Sequence, residues 1–209
     1  MLNCWYESNP PKADVRLFIN YFYMTSTQQN LLKAFAGESQ ARNKYTQFAK
    51  MARKENLEWI ARVFEETAEN ERVHAGEEFE LISGPVTTTG DLGIAPFSTN
   101  TIENLKMAAE GEKYEWTTMY PDFEKIAQEE GESEPARLFG KLKEVEKLHE
   151  ERYIIIARKM DDKTLYDSET ELEWKCVNCG YTFWGKRPPV TCPLCKKPFT
   201  WYMPVGLVK

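Results

Sequence analysis

Apolar residues recur in steps of three and four along four long stretches of the 209-residue chain, the rhythm of a helix face that packs inward. The first stretch, 26–54, carries Leu31, Phe35, Glu38, Arg42, Tyr45, Phe48 and Ala52 on its stripe, and the second, 57–82, carries Ile60, Phe64, Thr67, Glu71, His74 and Leu81. The third, 101–130, carries Leu105, Ala108, Glu112, Glu115 and Met119, and the fourth, 135–161, carries Phe139, Leu142, Glu146, His149, Tyr153, Ile156 and Met160. Thr25-Ser26-Thr27 offers N-cap residues to the first helix, and Pro121 predicts a kink or a break in the third. Stretches one and two, like three and four, are joined by a few polar residues, which predicts two antiparallel hairpins. Between the hairpins lies SGPVTTTGDLGIAPFSTN (83–100), long enough to run the length of a four-helix bundle as a single crossover.

The stripes are apolar except where acids interrupt them at matching depth. Glu38 lies 33 residues before Glu71 and Glu112 lies 34 before Glu146, so each half reads as a lone Glu on its first helix and Glu-x-x-His on its second. Both histidines of the chain, His74 and His149, stand in this motif, and residues i and i+3 share a helix face. Glu115 has no acidic counterpart in the first half, where Ala41 holds its place. Five inward carboxylates (Glu38, Glu71, Glu112, Glu115 and Glu146) require compensating cations, and two divalent metals bring four charges against five. Oxygen and imidazole donors suit iron or manganese. Tyr45, two turns past Glu38, and Tyr120, five residues past Glu115, either hydrogen-bond ligand carboxylates or are core tyrosines satisfied elsewhere. Glu78, one turn past His74, is expected at the rim or surface.

The net charge of −6 leaves no cation excess for a nucleic-acid backbone, and no apolar run reaches the roughly 20 residues of a membrane helix. Four of five cysteines form two C-x-x-C pairs, Cys176/Cys179 and Cys192/Cys195, which suit a tetrahedral thiolate metal site in a reducing compartment rather than a disulfide framework. Zinc and a single iron both fit such a site. The chain divides into an N-terminal extension (1–24), the bundle (25–162), a polar linker (163–172) and a metal-ribbon tail (173–209). The apolar run Val15–Met24 lacks a basic flank and a cleavage site, so the extension makes a poor signal peptide.

The segments GESQAR (37–42), ETAENERVH (66–74), EGEKYEWTTMYP (110–121) and EVEKLHEERY (144–153), followed by CVNCGY and CPLC, resemble the rubrerythrin family over about residues 27–203. The resemblance implies an all-α ferritin-like four-helix bundle with a non-haem di-iron centre, followed by a small rubredoxin-like domain with iron in a Cys4 site. It implies Glu38, Glu71, His74, Glu112, Glu115, Glu146 and His149 as di-iron ligands, with Glu115 and His74 exchanging on one iron as its oxidation state changes. Tyr45 and Tyr120 match the tyrosines that hydrogen-bond those ligands, and Cys176, Cys179, Cys192 and Cys195 match the rubredoxin-type ligands. Lys196 departs from the pattern, standing where rubredoxins often place Gly.

The activity implied is that of a cytoplasmic peroxidase, reducing hydrogen peroxide with electrons relayed through the tail from an NAD(P)H-dependent reductase or a rubredoxin. From His149 to the end of its helix is about 17 Å at 1.5 Å per residue, so the tail begins far from its own centre. A head-to-tail homodimer or higher homo-oligomer is therefore expected, with neither nucleic acid nor membrane as partner. A ferroxidase on the same bundle, and a zinc ribbon on a structural bundle, are the rival readings.

Overall fold

In the computed structural model, residues 25–88, 90 and 98–206 are described. The expected extension 1–24 and most of the glycine-rich half of the crossover lie outside them. The bundle is built from α1 (Ser26–Lys54), α2 (Glu58–Glu80), α3 (Thr101–Tyr114), α4 (Tyr120–Glu129) and α5 (Ser133–Asp161). Thr25 caps α1 by accepting from the Gln28 N–H at 3.2 Å. Glu130 adds a distant second cap, accepting from the backbone N–H groups of Ser26 and Thr27 at 2.9 and 2.8 Å.

Those contacts also fix the topology. The start of α1 meets the end of α4, while the Thr101 N–H at the start of α3 donates to Glu55 just past the end of α1, at 3.0 Å. Gln28, near the start of α1, donates to the Leu81 carbonyl just past the end of α2. The chain therefore leaves α2 at one end of the bundle and enters α3 at the other, which is the single crossover of the ferritin-like topology.

Pro121 neither breaks nor ends the third helix. Between α3 and α4 the backbone makes one π-helical segment, Glu115–Met119, and the Tyr120 N–H returns to the Glu115 carbonyl. The wider turn absorbs one extra residue and accommodates the prolyl ring that follows it. The insertion accounts for the unequal repeat. The turns between paired helices are alike, residues 55–57 and 130–132, and Glu71 and Glu146 each lie 13 residues into their helices. The extra residue between Glu112 and Glu146 is thus inside the helix, and the same one-residue slip explains why Tyr45 follows Glu38 by seven whereas Tyr120 follows Glu112 by eight.

Two apolar layers sandwich the inward acids. One, toward the end of α1, includes Phe48, Trp59, Ile60, Phe64, Leu105, Tyr153 and Ile156, and the other includes Leu31, Ala34, Tyr120, Phe139 and Leu142. Each large side chain fully buried there stabilises the fold by about 1.5–3 kcal/mol. Within the stretch expected to be a polar linker, Leu165 is buried in the first layer and the Tyr166 ring packs edge-on against Trp59 at 6.3 Å. These two residues dock the tail onto the bundle end where α2 begins. The tail itself is a three-stranded antiparallel sheet, β1 (Leu172–Cys176), β2 (Thr182–Gly185) and β3 (Tyr202–Pro204), in the order β2-β1-β3. Among the described residues, no helix is long and apolar enough to cross a membrane.

Candidate metal centres

The helix stripes bring six side chains together in one buried volume at mid-bundle. Donor atoms of Glu38, Glu71, His74 and Glu146 lie within 4.8 Å of one another, as do those of Glu71, Glu112, Glu146 and His149. Glu71 and Glu146 belong to both groups, so they face two adjacent positions, while Glu38 and Glu112 close the outer ends. Glu38, Glu71, Glu112 and Glu146 are at most 1% exposed. The imidazoles stack 6.1 Å apart with their planes 22° from parallel, as the internal duplication requires. Glu115, at the start of the π segment, is half-buried and joins neither group.

Both imidazoles turn Nδ1 inward. His74 Nδ1 lies 2.8 Å from Glu71 and 3.1 Å from Glu146, and His149 Nδ1 lies 2.8 Å from Glu146 and 3.5 Å from Glu71. None of these approaches has hydrogen-bond geometry, and both Nδ1 atoms remain without a hydrogen-bond partner. The same holds for Glu38 Oε2, Glu112 Oε2 and both carboxylate oxygens of Glu71 and Glu146. The other oxygens of Glu38 and Glu112 are occupied: Tyr120 donates to Glu38 Oε1 and Tyr45 donates to Glu112 Oε1. Both tyrosines are buried and hydrogen-bond carboxylates of the two groups. The unpaired atoms are thus a set of six carboxylate oxygens and two imidazole nitrogens converging on two positions. Such a set fits two divalent metals, and without cations it would be prohibitively costly to bury.

Crowding shows in the proton affinities. Burial, followed by the charges of Glu71 and Glu146, holds the Glu38 carboxyl well above its ordinary range. Burial and the same two neighbours push Glu112 up to about 7, against the pull of His149. Glu115 is raised by burial and then by Glu112. Burial opposes charge on the imidazoles, yet the carboxylates around them win, raising His74 and His149 to about 10. Glu146, flanked by both rings, is lowered in spite of burial.

Two groups at the centre escaped the sequence reading. Glu78, expected at the rim or surface, is fully buried, and its carboxyl lies 3.0 Å from the Tyr120 hydroxyl. It continues the three-four rhythm of Glu71 and His74, so the burial follows from helix geometry rather than from the acid-rich run around it. The second is Asn70, whose side-chain amide lies 3.2 Å from His149 Nε2. The contacting atom is the amide Nδ2, and a half-turn of the amide, which exchanges its nitrogen and oxygen, would present an acceptor to an Nε2–H when Nδ1 faces a metal. No such partner meets His74 Nε2 among the described residues.

The tail gathers its four cysteines from two knuckles, with Cys176–Cys195 and Cys179–Cys192 sulfurs 3.7 Å apart. A tetrahedron with metal–sulfur bonds of about 2.3 Å has edges of about 3.75 Å, so the sulfurs already stand at the spacing of one four-coordinate ion. All four are free thiols. Cys192 is lowered to about 6, its burial outweighed by the Cys195 N–H and further donors, which favours the thiolate a metal requires. Gly180 and Lys196 follow the second cysteine of each knuckle at φ 78° and 63°, returning their N–H groups to Cys176 and Cys192 at 2.8 and 3.0 Å. Lys196 therefore holds the left-handed conformation for which glycine is the usual residue.

Residues 29–156 match the Rubrerythrin family model, and residues 174–200 match the model for the rubrerythrin rubredoxin-like domain. Rubrerythrin of Porphyromonas gingivalis is 42% identical over 184 residues, covering 87% of this chain and 90% of that protein. Rubrerythrin of Nitratidesulfovibrio vulgaris is 40% identical over 186 residues, covering 87% and 95%. Among solved structures, fully reduced, all-ferrous nigerythrin superposes with a TM-score of 0.59 at 37% identity, covering 85% of this chain and 86% of that one.

Proposed function

Since the chain belongs to the rubrerythrin family, carrying a di-iron carboxylate site and a four-cysteine rubredoxin-like site, we propose that it reduces hydrogen peroxide to water. The observation that carries this reading is the presence of both metal sites in one chain. A ferroxidase takes its electrons from the iron it oxidises and has no use for a thiolate relay. A peroxide reductase must be recharged with two electrons per turnover, and a one-electron Fe(Cys)4 relay fed by an NAD(P)H-dependent reductase or a rubredoxin meets that need.

Two irons held by Glu38, Glu71, His74, Glu112, Glu146 and His149 would supply the two electrons and Lewis acidity toward peroxide. The chain does the rest. Glu71 and Glu146 fix the spacing of the two positions by facing both, and Glu38, Glu112 and the imidazoles close their outer sides. Tyr45 and Tyr120 orient Glu112 and Glu38, and the apolar layers keep bulk water away. His74 is the imidazole suited to trade places with Glu115, because its Nε2 is not tethered as that of His149 is by Asn70.

The tail docks on its own bundle at Trp59, 12 residues and about 18 Å along α2 from Glu71. That separation favours delivery of electrons to a partner's centre in a head-to-tail homodimer. Thiolate ligands and free cysteines suit the reducing cytoplasm.

The test is to reduce the iron-loaded protein without air and mix it rapidly with peroxide or with O2, following reoxidation of the Fe(Cys)4 chromophore. Fast reoxidation by peroxide and slow reoxidation by O2 is expected. Equal rates would point to a ferroxidase or oxidase, and a colourless protein with zinc at the cysteines would remove the relay.

A further inference from the structure

Glu78 is buried as fully as the cradle carboxylates but belongs to neither cradle. Its Oε1 lies 3.0 Å from the Tyr120 hydroxyl, whose other neighbour is Glu38 Oε1. Its Oε2 has no hydrogen-bond partner, and no lysine or arginine pairs with it among the described residues. An ionised carboxylate in that setting would have one hydrogen bond and no countercharge.

Hydrogen counting gives the alternative. Glu38 Oε1, Tyr120 Oη and Glu78 Oε1 form a row of three oxygens with two gaps, and a hydrogen bond across each gap needs its own hydrogen. Tyrosine has one to give. A metal-ligating Glu38 must be ionised, so the second hydrogen sits on Glu78, which donates to Tyr120 while Tyr120 donates to Glu38.

We propose that Glu78 is a neutral carboxylic acid in the metal-loaded protein and that it delivers a proton through Tyr120 to the Glu38 side of the centre. Its use there rests on the peroxide reading, because H2O2 + 2 e− + 2 H+ → 2 H2O consumes two protons. The two electrons come from the reduced centre. In the transfer the Glu78 O–H bond breaks as Tyr120 Oη takes that proton and gives its own to Glu38 Oε1. Glu38 hands it to one hydroxide released by O–O cleavage and is ionised again, while solvent protonates the other hydroxide. Tyr120 ends as the neutral hydroxyl it began, no electron moves along the row, and Glu78 is left ionised. It lies two residues from the end of α2 at Glu80, so opening of that last turn would admit the water that reprotonates it between turnovers.

The surroundings agree. Glu78 is faced by Glu71 and His74 from its own helix, Glu38 from α1, Tyr120 from α4 and Glu146 from α5. Burial leads in holding its carboxyl well above the ordinary range, Glu146 and Glu71 add to it, and the Tyr120 and His74 contributions do not reverse it. In the other half of the bundle, Tyr153 occupies the matching place four residues past His149, against the Tyr45 ring at 5.7 Å. A phenol raised well above its ordinary range has no proton to spare at neutral pH, so the supply is one-sided.

The test uses Glu78→Gln, which keeps the side-chain shape and a donor toward Tyr120 but has no acid proton to release. The infrared spectrum of metal-loaded protein should show the carbonyl stretch of a buried neutral carboxylic acid, shifted in D2O and missing from the variant. Metal must be present, since protons otherwise remain on the ligand carboxyls. With metal content and melting temperature unchanged, peroxide reoxidation should slow roughly tenfold or more, as expected for a lost proton donor. Tyr120→Phe should slow it comparably, and the double variant should be no slower than the slower single one, because both act in one chain. An infrared band that survives Glu78→Gln, or a variant with unchanged rate and pH profile, would overturn the proposal. Wild-type protein that peroxide does not reoxidise would instead overturn the peroxide reading, with the infrared band still deciding the state of Glu78.

Discussion

The first hairpin, α1–α2, and the second, α3–α5, present the same ligand pattern to the centre and differ in how each ligand is held. Glu38 and Glu112 each accept from a tyrosine of the opposite half, an exchange that preserves the pseudo-two-fold relation. Away from the ligands the relation fails at identifiable points. The second hairpin has one more residue and a π segment, Glu115 stands where the first has Ala41, Tyr153 stands where the first has Glu78, and Asn70 lies against only His149. Duplication supplies a cradle for two metals, and its departures give each metal a different neighbourhood. A reaction that moves electrons and protons in sequence needs that inequality.

The largest expected break in the comparison comes from the shared carboxylates. Glu146→Ala removes a donor from both cradles and should cost the bundle both of its metals, whereas Glu38→Ala or Glu112→Ala should weaken the cradle on its own side first. Metal analysis of purified variants separates the outcomes. In each variant the tail should keep its ion, because its four sulfurs come from another domain. Equal loss of both bundle metals from Glu38→Ala would show that the halves do not load independently.

Protons and metals compete for the same atoms, which sets the next effect. In chelator-treated protein Glu112 is raised from 4.5 to about 7 and the imidazoles from 6.5 to about 10. All are raised, so the fold favours their protonated forms. That contribution is complete below the unfolded values, 4.5 for Glu112 and 6.5 for the imidazoles, and is lost as pH rises through about 7 and then about 10. Metal requires the deprotonated forms, so loading releases protons and tightens with pH. Denaturant melts of loaded and stripped protein should therefore diverge as pH rises from about 6 to about 9. Curves that stay parallel would mean the imidazoles are neutral before metal arrives.

Most of this inequality has a trace in the chain, at varying depth. The clustering of Glu38, Glu71, His74, Glu112, Glu146 and His149 was legible because few explanations exist for acids on four inward stripes. The π segment was present as the difference between repeats of 33 and 34 residues and between tyrosine offsets of seven and eight, although Pro121 drew attention to a break. Glu78 was legible in principle. The stripe passes from His74 to Leu81, and the three-four rhythm demands an inward residue between them. Its neighbours Glu77 and Glu80 made it look like one more solvated charge. Leu165 and Tyr166 were lost in a polar stretch for the same reason. Asn70 left no trace, because it lies beside the stripe and its partner comes from another helix 79 residues away.

A smaller effect sharpens the contrast between the imidazoles. Asn70→Ala should loosen His149 and lower metal affinity on that side by roughly tenfold, the low end for losing a hydrogen bond behind a metal ligand. Val145 holds the place before Glu146 that Asn70 holds before Glu71. Val145→Asn should give His74 the tether it lacks, making the halves more alike and slowing exchange between His74 and Glu115. Competition against a calibrated chelator reads the first variant, and the spectrum of the bundle irons as they are reduced reads the second.

The tail repeats the lesson at the smallest scale. Its two knuckles are near copies, each ending in a residue with positive φ whose N–H returns to the first cysteine, but one uses Gly180 and the other Lys196. A residue with a Cβ pays about 1–2 kcal/mol for the left-handed conformation, and glycine gives back part of that through its freer unfolded chain. The Lys196 ammonium recovers little through its exposed bond to the Pro193 carbonyl. Lys196→Gly should accordingly stabilise the tail by about 0.5–1 kcal/mol, read as a higher denaturant midpoint for loss of the Fe(Cys)4 chromophore. Gly180→Lys should shift that midpoint downward by a similar amount. Opposite signs at equivalent positions would show that backbone conformation alone separates the knuckles, and equal signs would mean that the lysine side chain does more for its knuckle than one exposed hydrogen bond.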